Sequence, residues 1–179
     1  MKKLLFASLI SSSLLATFAA AENNEICNTP LYKQIVKAEK QDYRRPNIKP
    51  SRSLSEMMID FELLCPLQVE KDFNGDKRLD WFGVLEQNGR FYLMLYLSTP
   101  TTHKFQQVKE FKSAPNNQYF DVTDQKRLYE VAGHFEFRPE IKFAAVENRM
   151  DGTATAYLWD GTQMKQLVEF KWPLEKEDT

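Results

Sequence analysis

The sequence predicts a mainly β (α+β) fold, a single antiparallel sheet, curved or folded as a meander, behind one or two short N-terminal helices. Three observations carry this reading. The turn dipeptides Asn88-Gly89, Asp151-Gly152 and Asp160-Gly161 each separate two strand-like runs. The segment Phe91-Tyr92-Leu93-Met94-Leu95-Tyr96-Leu97 is apolar or aromatic on both alternating faces, as in a central strand covered on each side. Ahead of residue 67, by contrast, apolar residues recur near helical spacing.

Taken in order, residues 1–21 read as a secretory signal peptide. Met1-Lys2-Lys3 is positive, Leu4 to Phe18 is apolar apart from small hydroxyl residues, and Ala19-Ala20-Ala21 supplies the small side chains of a cleavage site. The apolar run is 15 residues long, short of the roughly 20 that a membrane span needs. Asn24-Glu25-Ile26 ahead of Cys27 lacks the small apolar residues of a lipoprotein site. Cleavage near Ala21 and a periplasmic (or secreted) destination are expected, with residues 22–179 forming a single β-rich domain.

Removing 21 of 179 residues leaves 158, enough for a substantial core. Lys2 and Lys3 leave with the signal, so 22 of the 24 basic residues face 25 acidic ones, a net charge of −3. That balance argues against nucleic-acid binding, which needs a basic excess. No later run has membrane length, so no span is expected in the mature chain. Cys27 and Cys65 are the only cysteines, and in an oxidising compartment two cysteines of one small domain pair.

Pro30 to Lys40 predicts a first helix, with Thr29 as N-cap and Pro30 at the first helical position. Asp42 to Pro50 reads as a loop. Ser53 or Ser55 caps a second helix through Met57, Met58, Ile59 and Phe61, ending before Pro66. Strands follow at Leu79–Glu86 and Phe91–Leu97, with Asn88-Gly89 forming a type I′ turn between them. Phe105–Phe111, Tyr119–Val122 and Leu128–Phe137 read as further strands. Ile141–Glu147, Thr153–Trp159 and Thr162–Lys171 form a closing meander, and the charged tail from Pro173 is expected to fray.

One segment carries chemistry. In Asp72-Phe73-Asn74-Gly75-Asp76-Lys77-Arg78-Leu79-Asp80, the side chains of Asp72, Asn74, Asp76 and Asp80 stand at positions 1, 3, 5 and 9, and the Arg78 carbonyl at position 7. Alternate oxygens of this kind converge when a backbone coils around a hard cation such as Ca²⁺. Position 6 is Lys77 and position 12 is Gly83, so the loop is not an EF-hand. The same residues also make ordinary turns without metal.

The pattern Asp-x-Asn-Gly-Asp-x-x-x-Asp followed by an apolar strand resembles the calcium loop of FG-GAP and VCBS-type β repeats. Only one copy is present, and Lys77 stands where that motif usually carries glycine. A closer likeness is to small periplasmic proteins of Gram-negative bacteria that pair one such loop with a Tyr-x-Trp-Asp-Gly hairpin, here Tyr157-Leu158-Trp159-Asp160-Gly161. The repeat-type resemblance implies a structural calcium ion with Asp72, Asn74, Asp76 and Asp80 at its ligand positions, to which the Arg78 carbonyl adds, and the periplasmic likeness carries no function to transfer.

The inventory for catalysis is thin. His103 falls in a polar loop and His134 in a strand-like run, and no hydrolase, zinc or phosphate-binding signature occurs. Trp81, Trp159 and Trp172 read as core residues. The expectation is an exported, non-enzymatic periplasmic binding or interaction protein whose partner is a protein or envelope component. The alternatives are a cell-envelope hydrolase with a carboxylate site, and an inhibitor or immunity protein acting on a hydrolase.

Overall fold

The structure, a computed structural model, describes residues 27–171 apart from 39–41, 101–102, 133–134, 136–137 and 139. The signal segment, His134, Trp172 and the tail lie outside the described residues, as does the side chain of His103.

The fold is mainly β. Among the described residues three short helices, α1 (Pro30–Ala38), α2 (Arg52–Asp60) and α3 (Gln125–Ala132), accompany eight strands. The strands are β1 (Gln68–Lys71), β2 (Asp80–Gln87), β3 (Arg90–Ser98), β4 (His103–Phe111), β5 (Gln118–Asp124), β6 (Phe143–Arg149), β7 (Thr153–Trp159) and β8 (Met164–Lys171). They divide into two antiparallel four-stranded meanders, β1-β2-β3-β4 and β5-β6-β7-β8, rather than one continuous sheet. The division falls at residues 112–117, where Pro115 lacks the N–H that would continue a ladder. The meanders nevertheless meet along both edges. Phe120 N donates to Pro66 O at 2.8 Å beside β1. On the opposite edge the Gln106 side-chain amide brackets Met164, donating to its carbonyl at 3.0 Å and accepting from its N–H at 2.8 Å.

Period-two alternation explains how β2 and β3 serve two cores. Phe82, Val84, Leu93, Leu95 and Leu97 face the second meander, where the Phe82 ring lies 5.7 Å from Phe120 and 5.3 Å from Tyr157. Trp81, Leu85, Met94 and Tyr96 face the other way and are covered by Tyr32, Ile35 and Tyr43. The all-apolar run of β3 is therefore covered on both faces, as its sequence predicts. Trp81 and Trp159 are both buried. Each large side chain so buried contributes about 1.5–3 kcal/mol.

Local chemistry sets the boundaries. Asn88 and Gly89 both adopt positive φ, 52° and 76°, which is the type I′ turn their residue types specify. Thr29 Oγ1 accepts from Tyr32 N at 3.1 Å and caps α1. The cap of α2 is Ser51, not Ser53 or Ser55, and its hydroxyl accepts from Leu54 N at 3.3 Å. The expected strand Leu128–Phe137 is corrected: its described N-terminal part lies in α3. Asp124 Oδ1 accepts from Arg127 N at 2.8 Å, which caps a helix whose Leu128 and Val131 sit one turn apart against the core.

Cys27 and Cys65 are joined as a disulfide, 38 residues apart. On a chain-entropy argument this closure contributes about 4 kcal/mol. It fixes the segment ahead of α1 to the start of β1, and so shapes the surface described next.

Candidate functional site

The Asp72–Asp80 loop is closed by its own main chain. Asp72 accepts from Gly75 N at 2.7 Å and from Lys77 N at 2.8 Å. Asn74 Oδ1 accepts from Asp76 N, and Asp76 Oδ1 from Arg78 N, both at 2.9 Å. Gly75, at φ 83°, lies so close to the Glu140 carbonyl that an added Cβ would stand 2.5 Å from its oxygen. Asp80 is wholly buried and turned inward, accepting from Phe73 N at 2.9 Å and Ser98 N at 3.0 Å. Burial pushes the Asp80 carboxyl up to about 7, the two N–H donors oppose this, and the charges of Asp76 and Asp72 add to it. Asp72 and Asp76 thus lie within electrostatic reach of Asp80. Among the described residues no group of three or more His, Cys, Asp or Glu side chains is gathered as a ready metal cage.

The other motif hairpin is held by Asp160. Its carboxylate bonds the Lys165 ammonium at 2.5 Å and accepts from Thr162 and Gln163, which holds it well below the usual carboxylate range.

A buried ionic centre that the sequence did not single out lies inside the core. Glu147 on β6 is wholly buried; Lys109 Nζ meets its Oε2 at 2.5 Å, and Tyr157 OH donates to the same oxygen at 2.7 Å. Arg149 stands 3.7 Å from Oε1. Burial, then the Glu147 charge, raises the Tyr157 phenol far above its ordinary value, so it stays a protonated donor. Every charge here is committed to a partner inside the fold.

A concavity lies elsewhere. Residues 45–50 run as a strap fixed at both ends. Arg44 exchanges main-chain bonds with Glu86 at 2.9 and 2.8 Å, and Ser51 N donates to Asn116 O at 2.8 Å. Between the strap and the disulfide opens a cleft of about 610 Å³. Val84, Leu67 and Pro66 line it from the sheet side, Met58 and Leu64 from α2 and the segment after it. Arg45 is locked at one rim: its guanidinium lies 4.5 Å over the Tyr32 ring and donates to Cys27 O and to Gln68 Oε1. Lys49 is exposed at the other. Among the described residues lining the cleft there is neither a carboxylate nor a histidine. Leu64 is 47% exposed, and Ile59 and Phe61, near Met58 in the sequence, are 78% and 77% exposed. Exposed apolar residues grouped at a concavity are a mark of a binding surface.

Sequence reasoning passed over this cleft because its walls come from separate segments of the chain, brought together by a disulfide. The apolar Ile59 and Phe61, close after Met58 at the end of the helical pattern, were the signal the sequence held. Comparison with protein-family models, with curated proteins and with solved structures finds no match.

Proposed function

We propose that this chain is an exported, non-enzymatic binding protein whose binding site is the cleft between the strap and the Cys27–Cys65 disulfide. The observation that carries the reading is the cleft itself: a roomy, partly apolar recess lined by Met58, Leu64, Leu67 and Val84, with no acid or histidine along the described lining. Such a recess offers shape and apolar contact but no group to move a proton.

Anilinonaphthalene sulfonate, apolar with one negative charge, is expected to bind the folded protein at a single site. Leu64→Asp and Met58→Asp are each expected to weaken it at least tenfold, with far-ultraviolet circular dichroism unchanged. Probe binding that survives both substitutions would remove the cleft as the site.

Export is supported by the tripartite N-terminal sequence and by the paired cysteines, which suit an oxidising compartment. The form recovered from a bacterial periplasmic fraction is expected to begin at Glu22; recovery of the intact N-terminus from the cytoplasm would refute export.

The loop's resemblance to FG-GAP and VCBS-type repeats supports calcium as a structural brace at Asp72, Asn74, Asp76, Arg78 and Asp80, since the mutual repulsion of Asp72, Asp76 and Asp80 is what a bound cation relieves. Millimolar calcium is expected to raise the Tm by several degrees, and Asp76→Ala to abolish the rise. An unchanged Tm would leave the loop as a set of side-chain-capped turns.

A further inference from the structure

Resting on the cleft reading above, we infer that the occupant is an extended segment of another protein, paired main chain to main chain with Asn47–Lys49 and carrying acidic residues beside an apolar one. The first ground is hydrogen bonding. Among the described residues, no hydrogen bond joins the main chain of Asn47, Ile48 or Lys49 to the rest of the protein. The strap is nevertheless held at both ends, by Arg44 and Ser51. Asn47 and Lys49 are exposed while Ile48 is half-buried, the alternation of a strand with one face covered. Pro46 and Pro50 lack N–H groups and bound the pairing stretch to three residues, about 10 Å of strand. A strap so arranged offers unbonded main-chain groups to an extended peptide, as the exposed edge of a sheet does.

The second ground is charge. Arg45 and Lys49 stand at the cleft and no carboxylate lines its described part. A neighbouring hollow of about 380 Å³ shares Arg45, Pro46 and Asn47; Arg44 also lines it, its guanidinium paired with Glu86 at 2.5 Å, so the charge offered to a partner is that of Arg45 and Lys49. A partner with acidic side chains complements both. The third ground discriminates between occupants. A fatty acyl chain with a carboxylate head satisfies the apolar wall and the cations. It would also cover the open amides and carbonyls of 47–49 without bonding them, which opposes its binding. A peptide backbone supplies those bonds.

The experiment uses the mature protein and a fluorescent heptapeptide alternating glutamate with valine, measured by anisotropy. Binding is expected, weakened at least tenfold when alternate peptide nitrogens are methylated to remove the pairing N–H groups. Lys49→Glu, on an exposed side chain, is expected to weaken it at least threefold. Equal binding of the methylated peptide would overturn main-chain pairing. Displacement of the peptide by dodecanoate at lower concentration than by unlabelled peptide would assign the cleft to an acyl ligand and overturn the inference. So would displacement by a second copy of the protein together with dimerisation in sedimentation. No peptide binding while anilinonaphthalene sulfonate still occupies the cleft sinks this inference and leaves the cleft reading standing; loss of both sinks both.

Discussion

Lys109→Met is expected to destabilise the protein by about 3 kcal/mol, the lower end of what removing one partner of a buried ion pair costs. Glu147 has no exposed surface, so its charge is tolerated only because Lys109 and Tyr157 bond Oε2. With Lys109 gone, the Tyr157 hydroxyl remains, and Arg149 at 3.7 Å supplies charge without a good hydrogen bond. That residual partner sets the effect toward the lower end. Oε1 already lacks a hydrogen-bond donor among the described residues. Glu147→Gln in the same chain removes the stranded charge while keeping an acceptor for Tyr157. The double variant Lys109→Met/Glu147→Gln is therefore expected to recover more than half of the loss. Urea denaturation tests this through the midpoint, provided the slope is unchanged. Strict additivity of the two substitutions would show that the pair is not coupled.

Asp80→Ala is expected to cost a similar amount, about 2–4 kcal/mol, for a different reason. The Asp80 carboxylate takes both the Phe73 and Ser98 N–H groups, which tie the acidic loop to the end of β3. Truncation leaves two main-chain donors without their acceptor, at about 1–3 kcal/mol each where no water replaces it. The pH dependence has a definite sign. The folded carboxyl is raised from 3.8 to about 7, so the folded state holds this proton more tightly than the unfolded chain does. Its contribution to stability is fully present below pH 3.8 and is lost as pH rises through about 7. Asp80→Asn, which does not titrate, is expected to flatten that part of the Tm–pH profile. An identical slope in wild type and Asp80→Asn would show that another group is responsible.

Local features were legible where one residue type answers one geometric demand. Asn88-Gly89 specifies two positive φ values, and β3 specifies burial on both faces. Thr29 and Pro30 specify the start of α1. Features set by context were not legible. Leu128 to Phe137 contains enough β-branched and aromatic residues to read as a strand, yet Asp124 caps α3 there. The Gln125 side chain, bonded to the Arg138 and Ile141 main chain, holds the next segment against the helix start. Glu147 reads as the polar face of an alternating strand; only the meeting of the two meanders puts it opposite Lys109. The motif residues Asp72 to Asp80 were found by spacing, but spacing does not reveal that Asp80 is buried and serves β3 as well as its own loop.

The Gln106 bracket gives the molecule a latch and a spine. One side of the two meanders is secured by a main-chain bond from Phe120, whereas the opposite side is fastened by side chains, Gln106 at Met164 and the Lys104 ammonium at the Thr162 carbonyl. A side-chain amide copies the donor–acceptor pair of a strand residue but carries no neighbours to continue the ladder. Unfolding should therefore begin as a book opens, with β4 and β8 parting first and the β1–β5 side, beside the disulfide, parting last. The strap lies on the spine side, so the proposed binding surface belongs to the half of the molecule that opens last.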